Sequence, residues 1–258
     1  METEWRRLRA DELRARAELD PIVILPVAAL EQHGPHLPVE VDTLLAEAIT
    51  ARTAARLDAR GVPVLTLPVL WTGLSEHHMS FGGTITLDPP AFAAVVEAVV
   101  RSVLRHGFRR IVLLNAHGGN ETALRALTDD LTPRLGVPLV QLTYWYAAAA
   151  AIAGILDIQS GLSHACEAEP SMMLALHPEL VATDRIPAPP PDQAPELPAG
   201  VYRWRTIGAR SASGVIGHPE AAGAEKGTKL LAAIAETLAD KLANPDLWSL
   251  TWQAEPSP

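Results

Sequence analysis

The sequence predicts a three-layer α/β/α sandwich with a mostly parallel central sheet. Three observations predict it. Four short apolar, β-branched segments alternate with amphipathic helical patterns along the first 142 residues. That alternation favours parallel strands covered by helices on both faces. The chain has 258 residues and is 48% hydrophobic, enough to bury a sizeable core. The first and third apolar segments both run into Gly-broken, His-bearing loops. Parallel strands bring such ends to one edge of a sheet, where open α/β proteins hold their ligands.

In order, a short helix with an Arg/Glu surface is predicted near residues 11–19. Residues 22–27, Ile-Val-Ile-Leu-Pro-Val, read as a buried strand. A helix over 43–57 follows, with Leu44, Leu45, Ala48, Ile49 and Leu57 on its apolar side. Asp42 then falls at its N-cap, a position that residue favours. Residues 62–70 form a second strand candidate, and 71–87 a long polar loop with adjacent His77 and His78. Asp88-Pro89-Pro90 opens a helix to about His106, burying Phe92, Val95, Val96, Val99 and Val103; Gly107 stops it. Residues 110–115 are the third strand. A helix then carries Leu124, Leu127 and Leu131, and 137–142 are the fourth strand. Residues 147–156 read as helical. Pro170 places Glu169 at a helix start. A short strand at 201–207 and a last helix at 224–242, burying Leu231, Ile234, Leu238 and Leu242, complete the pattern. The chain reads as one domain, with a Pro-rich connector at about 187–199 and a polar tail at about 244–258.

Composition excludes some functions. The formal net charge of −9 lacks the basic footprint of nucleic-acid binding. The longest small-apolar run, 147–156, is too short to span a bilayer, and the N-terminus is polar. A single cysteine, Cys166, allows no internal disulfide and fits a reducing cytoplasm.

The chemistry-bearing residues sit in three loops: Glu31, His33 and Asp42; His117; and His164, Glu167 and Glu169. Singly, each has an ordinary explanation, such as a solvated His or a carboxylate at a helix start. Together they supply enough carboxylates and imidazoles for two divalent metal ions with a bridging carboxylate. The N/O ligand mix suits Zn, Mn or Fe. Two such ions can activate a water and polarise a carbonyl for amide hydrolysis, with a nearby His or Glu moving the proton. A Gly-x-Ser-x-Gly elbow and a phosphate loop are both missing. Cys166 beside His164 is a weaker candidate for a thiolate nucleophile.

Four ordered motifs carry a family resemblance. They are Leu30-Glu-Gln-His-Gly-Pro-His-Leu-Pro with Asp42-Thr43, Gly73-Leu-Ser-Glu-His-His-Met-Ser-Phe-Gly-Gly-Thr84, Asn115-Ala-His-Gly-Gly-Asn120, and His164-Ala-Cys-Glu-Ala-Glu-Pro-Ser171. Over residues 20–240 the chain resembles the creatininase (creatinine amidohydrolase) family. The resemblance implies a two-metal amidohydrolase, commonly a homo-oligomer and often a hexamer, acting on a small amide, formamide or cyclic amide. Members that trim modified peptides leave a peptidase as the alternative, and a catalytically weak subunit holding structural metal is another. By position, Glu31, His33, Asp42 and His117 match metal ligands, with Asp42 the bridge. His164 matches a substrate-side or proton-handling histidine, and Glu167 is its candidate partner in catalysis. Ser75, His77 and Gly118 fall in substrate-side segments. His36 matches no ligand role.

The departures are specific. Gly118-Gly119 stand where creatininase proper has Tyr-Glu, whose Glu binds metal. The last carboxylate must come from elsewhere, with Glu169 first choice and Glu167 second. Ser160 and Gly161 replace the Trp and Asp that hold the creatinine ring. Cys166, Pro170 and Gly82 replace a Gly, a Thr and a Pro. Creatinine itself is therefore a poor expectation for the substrate.

Overall fold

The computed structural model describes residues 1–188, 198 and 200–249. Four parallel strands form one sheet in the order β2-β1-β3-β4: β1 Ile22–Val27, β2 Val64–Thr66, β3 Arg110–Asn115 and β4 Leu139–Thr143. Side chains alternate across β1, as the period of two demands. Ile22 and Ile24 join one apolar cluster, and Val23, Leu25 and Val27 join the other. The first cluster is closed by α2 (Val41–Ala59), α7 (Ala168–Leu176) and α8 (Ala224–Leu242). The second is closed by α3 (Pro89–Arg105) and α4 (Glu121–Leu135). This is the predicted three-layer arrangement. A short α1 (Ala10–Ala17) packs Leu13 and Ala17 against the second cluster, with no fully buried residue of its own.

Several elements differ from the sequence reading for identifiable reasons. The second strand is three residues long rather than nine. Pro68 ends it, and the neighbouring Pro26 has no N–H to extend the ladder. The Pro26 carbonyl instead accepts from Leu70 N (2.9 Å), beyond the strand. In α3 the buried positions are Phe92, Val96, Val100 and Val103, while Val95 is exposed; a 3.6-residue period fits this set. Asp88 caps that helix by accepting from Ala91 N (2.8 Å). The predicted helix at 147–156 is two short pieces, α5 (Tyr144–Ala147) and α6 (Ala149–Ala153). Residues 201–207 join no sheet. Val201, Tyr202 and Trp204 face solvent there, so no buried face rewards a strand. Most of the Pro-rich connector, residues 189–197 and 199, and the tail from 250 onward lie outside the described residues. No helix among the described residues is long and apolar enough to cross a membrane.

The topology sets the site. From β1 the sheet grows to β2 on one side and to β3 on the other, so a crevice opens between the ends of β1 and β3. Those ends are in register, Val27 opposite Asn115, and Ala116 N continues to Val27 O (2.9 Å). The loop after β1 and the loop after β3 therefore face each other.

Candidate metal centre

Five of the buried titratable groups in the crevice converge. Glu31, His33, Asp42, His117 and Glu169 are each 5% exposed or less. They form two triads that share one residue: Glu31, Asp42 and His117; and His33, Asp42 and Glu169. Asp42 has one oxygen on each. Its Oδ1 lies 3.2 Å from His33 Nε2, and its Oδ2 lies 3.1 Å from His117 Nδ1. Glu31 Oε2 is 3.1 Å from the same His117 nitrogen, and Glu169 Oε2 is 3.9 Å from His33 Nε2.

The backbone puts each group there. Glu31 and His33 sit on the loop leaving β1. Asp42 was expected to cap the next helix. Instead α2 begins at Val41, Asp42 occupies its first turn, and its carboxylate turns to the histidines rather than to a backbone amide. His117 follows β3, and Asn115 Oδ1 accepts from its backbone N–H (3.1 Å). Asn120 staples the neighbouring loop, accepting from Leu74 N (2.9 Å) and donating to Ala28 O (3.0 Å). Gly119 is required by close packing: a Cβ there would meet Leu74 O at 2.1 Å and His117 Nε2 at 2.5 Å. Glu169, at the helix start as expected, is the second residue of α7, and it accepts from Ala165 N.

Both histidines are oriented from behind. His33 Nδ1 donates to Glu31 O (3.1 Å), which leaves Nε2 as a lone pair toward the cluster. His117 Nε2 donates to Leu74 O (3.0 Å), which leaves Nδ1 toward the cluster. Such outer hydrogen bonds fix tautomer and ring direction in metal sites. Without a cation the groups lean on shared protons. Burial alone would lower His33, but Asp42 and Glu169 push it to about 9. Burial drives Glu169 up to about 7 against the pull of His33. Burial opposes ionisation of Asp42 too, yet its two histidines hold it well below the usual carboxylate range. Glu31 Oε2, His33 Nε2 and Asp42 Oδ2 have no hydrogen-bond partner. Buried polar atoms that converge with only shared protons between them offer a cation its ligands, an arrangement a protein core otherwise avoids.

Other expected site residues separate. Glu167, expected to work beside His164 or as a metal ligand, is not at the cluster. Its carboxylate accepts from Asp157 N (2.7 Å), Ile158 N (3.1 Å) and Gln159 N (3.1 Å) and pairs with Lys226. It pins the 157–159 loop to α8. Ser75, expected to touch substrate, is fully buried; its hydroxyl lies 3.2 Å from His117 Nε2, behind the ring. His77 and Gly118 do line the cavity, with the His77 ring stacked on His117 at 5.6 Å. His164 lines it as well. Its Nε2 donates to Gln32 O (2.9 Å), and its Nδ1 lies 3.6 Å from Glu31 Oε1. Burial and the neighbouring imidazoles hold it neutral. Cys166 is buried, and burial pushes its thiol up to about 12, which argues against the thiolate alternative.

Two residues were missed. His78, not His77, is the buried member of the pair, with Nε2 3.3 Å from Glu31 Oε1. Gln32 donates to His78 Nδ1 (3.1 Å) and to Gly214 O (3.2 Å), so it braces the cluster against the 214 turn. Adjacency to Glu31 and His33 was the available signal for Gln32; nothing local distinguishes His78 from His77.

The family model described as creatinine amidohydrolase matches residues 6–242. The chain belongs to the creatininase family. The creatinine amidohydrolase of Pseudomonas putida is 34% identical over 240 residues, covering 86% of this chain and 89% of that one. The mycofactocin precursor peptide peptidase of Mycobacterium ulcerans (strain Agy99) is 31% identical over 227 residues, covering 86% and 85%. A solved creatininase structure in its Mn form superposes with a TM-score of 0.81 at 29% identity, covering 94% of this chain and 98% of that one. The creatininase fold is thus common to both chains, and its relatives include hydrolases of different substrates.

Proposed function

We propose that this creatininase-family protein is a metal-dependent amidohydrolase that cleaves a C–N bond in a small amide, formamide or cyclic amide. Glu31, Asp42 and His117 would hold one divalent cation, and His33, Asp42 and Glu169 a second. The observation that carries the reading is the pair of buried triads sharing the two oxygens of Asp42. Zn, Mn or Fe fits that donor set. Bound there, such cations supply Lewis acidity and lower the pKa of a water.

The chain's own groups do the rest. His164, neutral and with Nδ1 directed toward Glu31, accepts a proton from the attacking water and returns it to the leaving nitrogen. Glu167 plays no part in this. Gly118 leaves the cavity floor open, and a Cβ built there meets nothing within 4 Å.

A peptidase is the second reading. The cavity measures about 830 Å³ and is lined by Trp145, Tyr146, Tyr202 and Trp204 beyond the cluster, more room than a single small ring fills. The similarity to a peptide peptidase supports it. A homo-oligomer in the cytoplasm completes the proposal, on the strength of the family and the single cysteine.

The test is metal content of protein purified without chelator, followed by hydrolysis of formamides, cyclic ureides and short peptides with and without chelator. Activity that is lost to chelator and restored by metal is expected. Protein that carries no divalent metal overturns the reading; metal without turnover on any substrate leaves a structural metal site. Asp42→Ala should remove both ions, and loss of only one refutes the bridge.

A further inference from the structure

Part of the cavity lining outside the cluster carries arginines, although the chain is acidic overall. Arg203, Arg205 and Arg210 line the cavity, and outside the cluster Glu76 is its only carboxylate among the described residues. The segment that carries them is docked, not loose. Ile207 N donates to His77 O (2.8 Å), and Ala209 N, Arg210 N and Ser211 N close a tight turn on Thr206 O and Ile207 O. Gly208 packs on Ser80 and Phe81. The turn therefore presents Arg210 next to His77, whose ring stacks on the candidate ligand His117.

Some surface arginines pair with carboxylates: Arg60 with Glu236 and Asp240, and Arg134 with Glu97 and Asp130. Arg210 makes no ion pair with a carboxylate among the described residues. Arg210 itself is exposed at the rim; desolvation by its neighbours, and then the charge of Arg205, lower its affinity for its proton. A guanidinium that a fixed turn carries at the rim of a cavity is a fork for an oxyanion.

We propose that Arg210 is a specificity-determining residue that binds a carboxylate or phosphate monoester at the end of the substrate remote from the scissile C–N bond. The preferred substrate is then an anionic amide, whose apolar or planar body lies along Tyr202 and Trp204. This deepens the amidohydrolase reading and rests on it for the direction of the substrate, with the amide at the cluster and the anion at the turn.

The experiment uses the full-length, metal-loaded protein and four probes: benzoate, phenyl phosphate, benzamide and phenol. Affinity is read by calorimetry and by quenching of the cavity tryptophans, alongside metal content and thermal melts. Wild type should bind one of the anions roughly tenfold or more tightly than the neutral probes. Arg210→Ala should erase that gap without changing metal content or the melt, and Arg210→Lys should restore part of it. Preference for benzoate over phenyl phosphate assigns a carboxylate; the reverse assigns a phosphate. The proposal is overturned if wild type shows no anion preference, if Arg210→Ala keeps it, or if only metal removal abolishes it. The amidohydrolase reading fails differently: the Arg210-dependent preference persists, but no probe amide or peptide is hydrolysed.

Discussion

Glu167 and Glu169 are two residues apart in one motif, and the structure gives them opposite tasks. Replacing each by Gln separates those tasks. In Glu167→Gln the shape is kept but the charge is lost. If the amide oxygen takes the position that accepts from Ile158 N and Gln159 N, the amide nitrogen faces the Asp157 N–H and the Lys226 ammonium, donor against donor. Lys226 keeps Asp157 (2.7 Å) and the Ala221 carbonyl, so its charge is not stranded. Two charge-assisted bonds at roughly 1.5–3 kcal/mol each, discounted for that remaining partnership, leave a loss of about 3 kcal/mol. For a chain of this size that is a drop in Tm of roughly 6–12 °C. Metal content should not change.

In Glu169→Gln the result inverts. The metal-free protein should melt within about 1 kcal/mol of wild type, because burial already drives this carboxyl up to about 7. Bound metal and activity should fall. Calorimetric melting of metal-free protein and elemental analysis of metal-loaded protein measure both effects. Acid adds a check with a definite sign. Lys226 and the backbone amides hold Glu167 below its ordinary 4.5 despite burial. Its stabilisation is therefore complete above about pH 4.5 and is lost as pH falls through the lower folded-state value. The Tm gap between wild type and Glu167→Gln should close only on acidification below that point. Metal loss in Glu167→Gln, or a Tm unchanged from wild type, would refute the assignment.

Three further outcomes follow from the packing. Gly119→Ala should leave circular dichroism intact but weaken metal binding roughly 10- to 100-fold, because the new methyl displaces His117; unchanged affinity in a metal titration contradicts it. Gly227→Ala drives a Cβ to 1.8 Å from Ser171 O, where α8 crosses α7, and should cost about 3 kcal/mol or more in urea unfolding. Cys166 should resist a thiol reagent at neutral pH until the chain is unfolded; fast reaction in the native state would reinstate an accessible thiol.

By itself the sequence determined the layers and the location of the chemistry. Period-two apolar runs and period-3.6 helices are local signals, each encoded within one element. They placed β1, β3 and α8 within a residue or two, and the loops of Glu31, His33 and His117 at one sheet edge. The tertiary structure decided what the carboxylates and histidines in those loops face. Asp42 reads locally as a cap, and only the meeting of two loops at the β1–β3 crevice turns its oxygens to His33 and His117. Glu167 and Glu169 share a motif but project from the start of α7 about 200° apart, since each residue advances about 100°. One meets Lys226 of α8 and the other meets His33. Similarly, Arg210 gains its place from a turn hydrogen-bonded to His77, far away in the chain. Contacts of that range depend on how the elements pack, and no window of the sequence contains them.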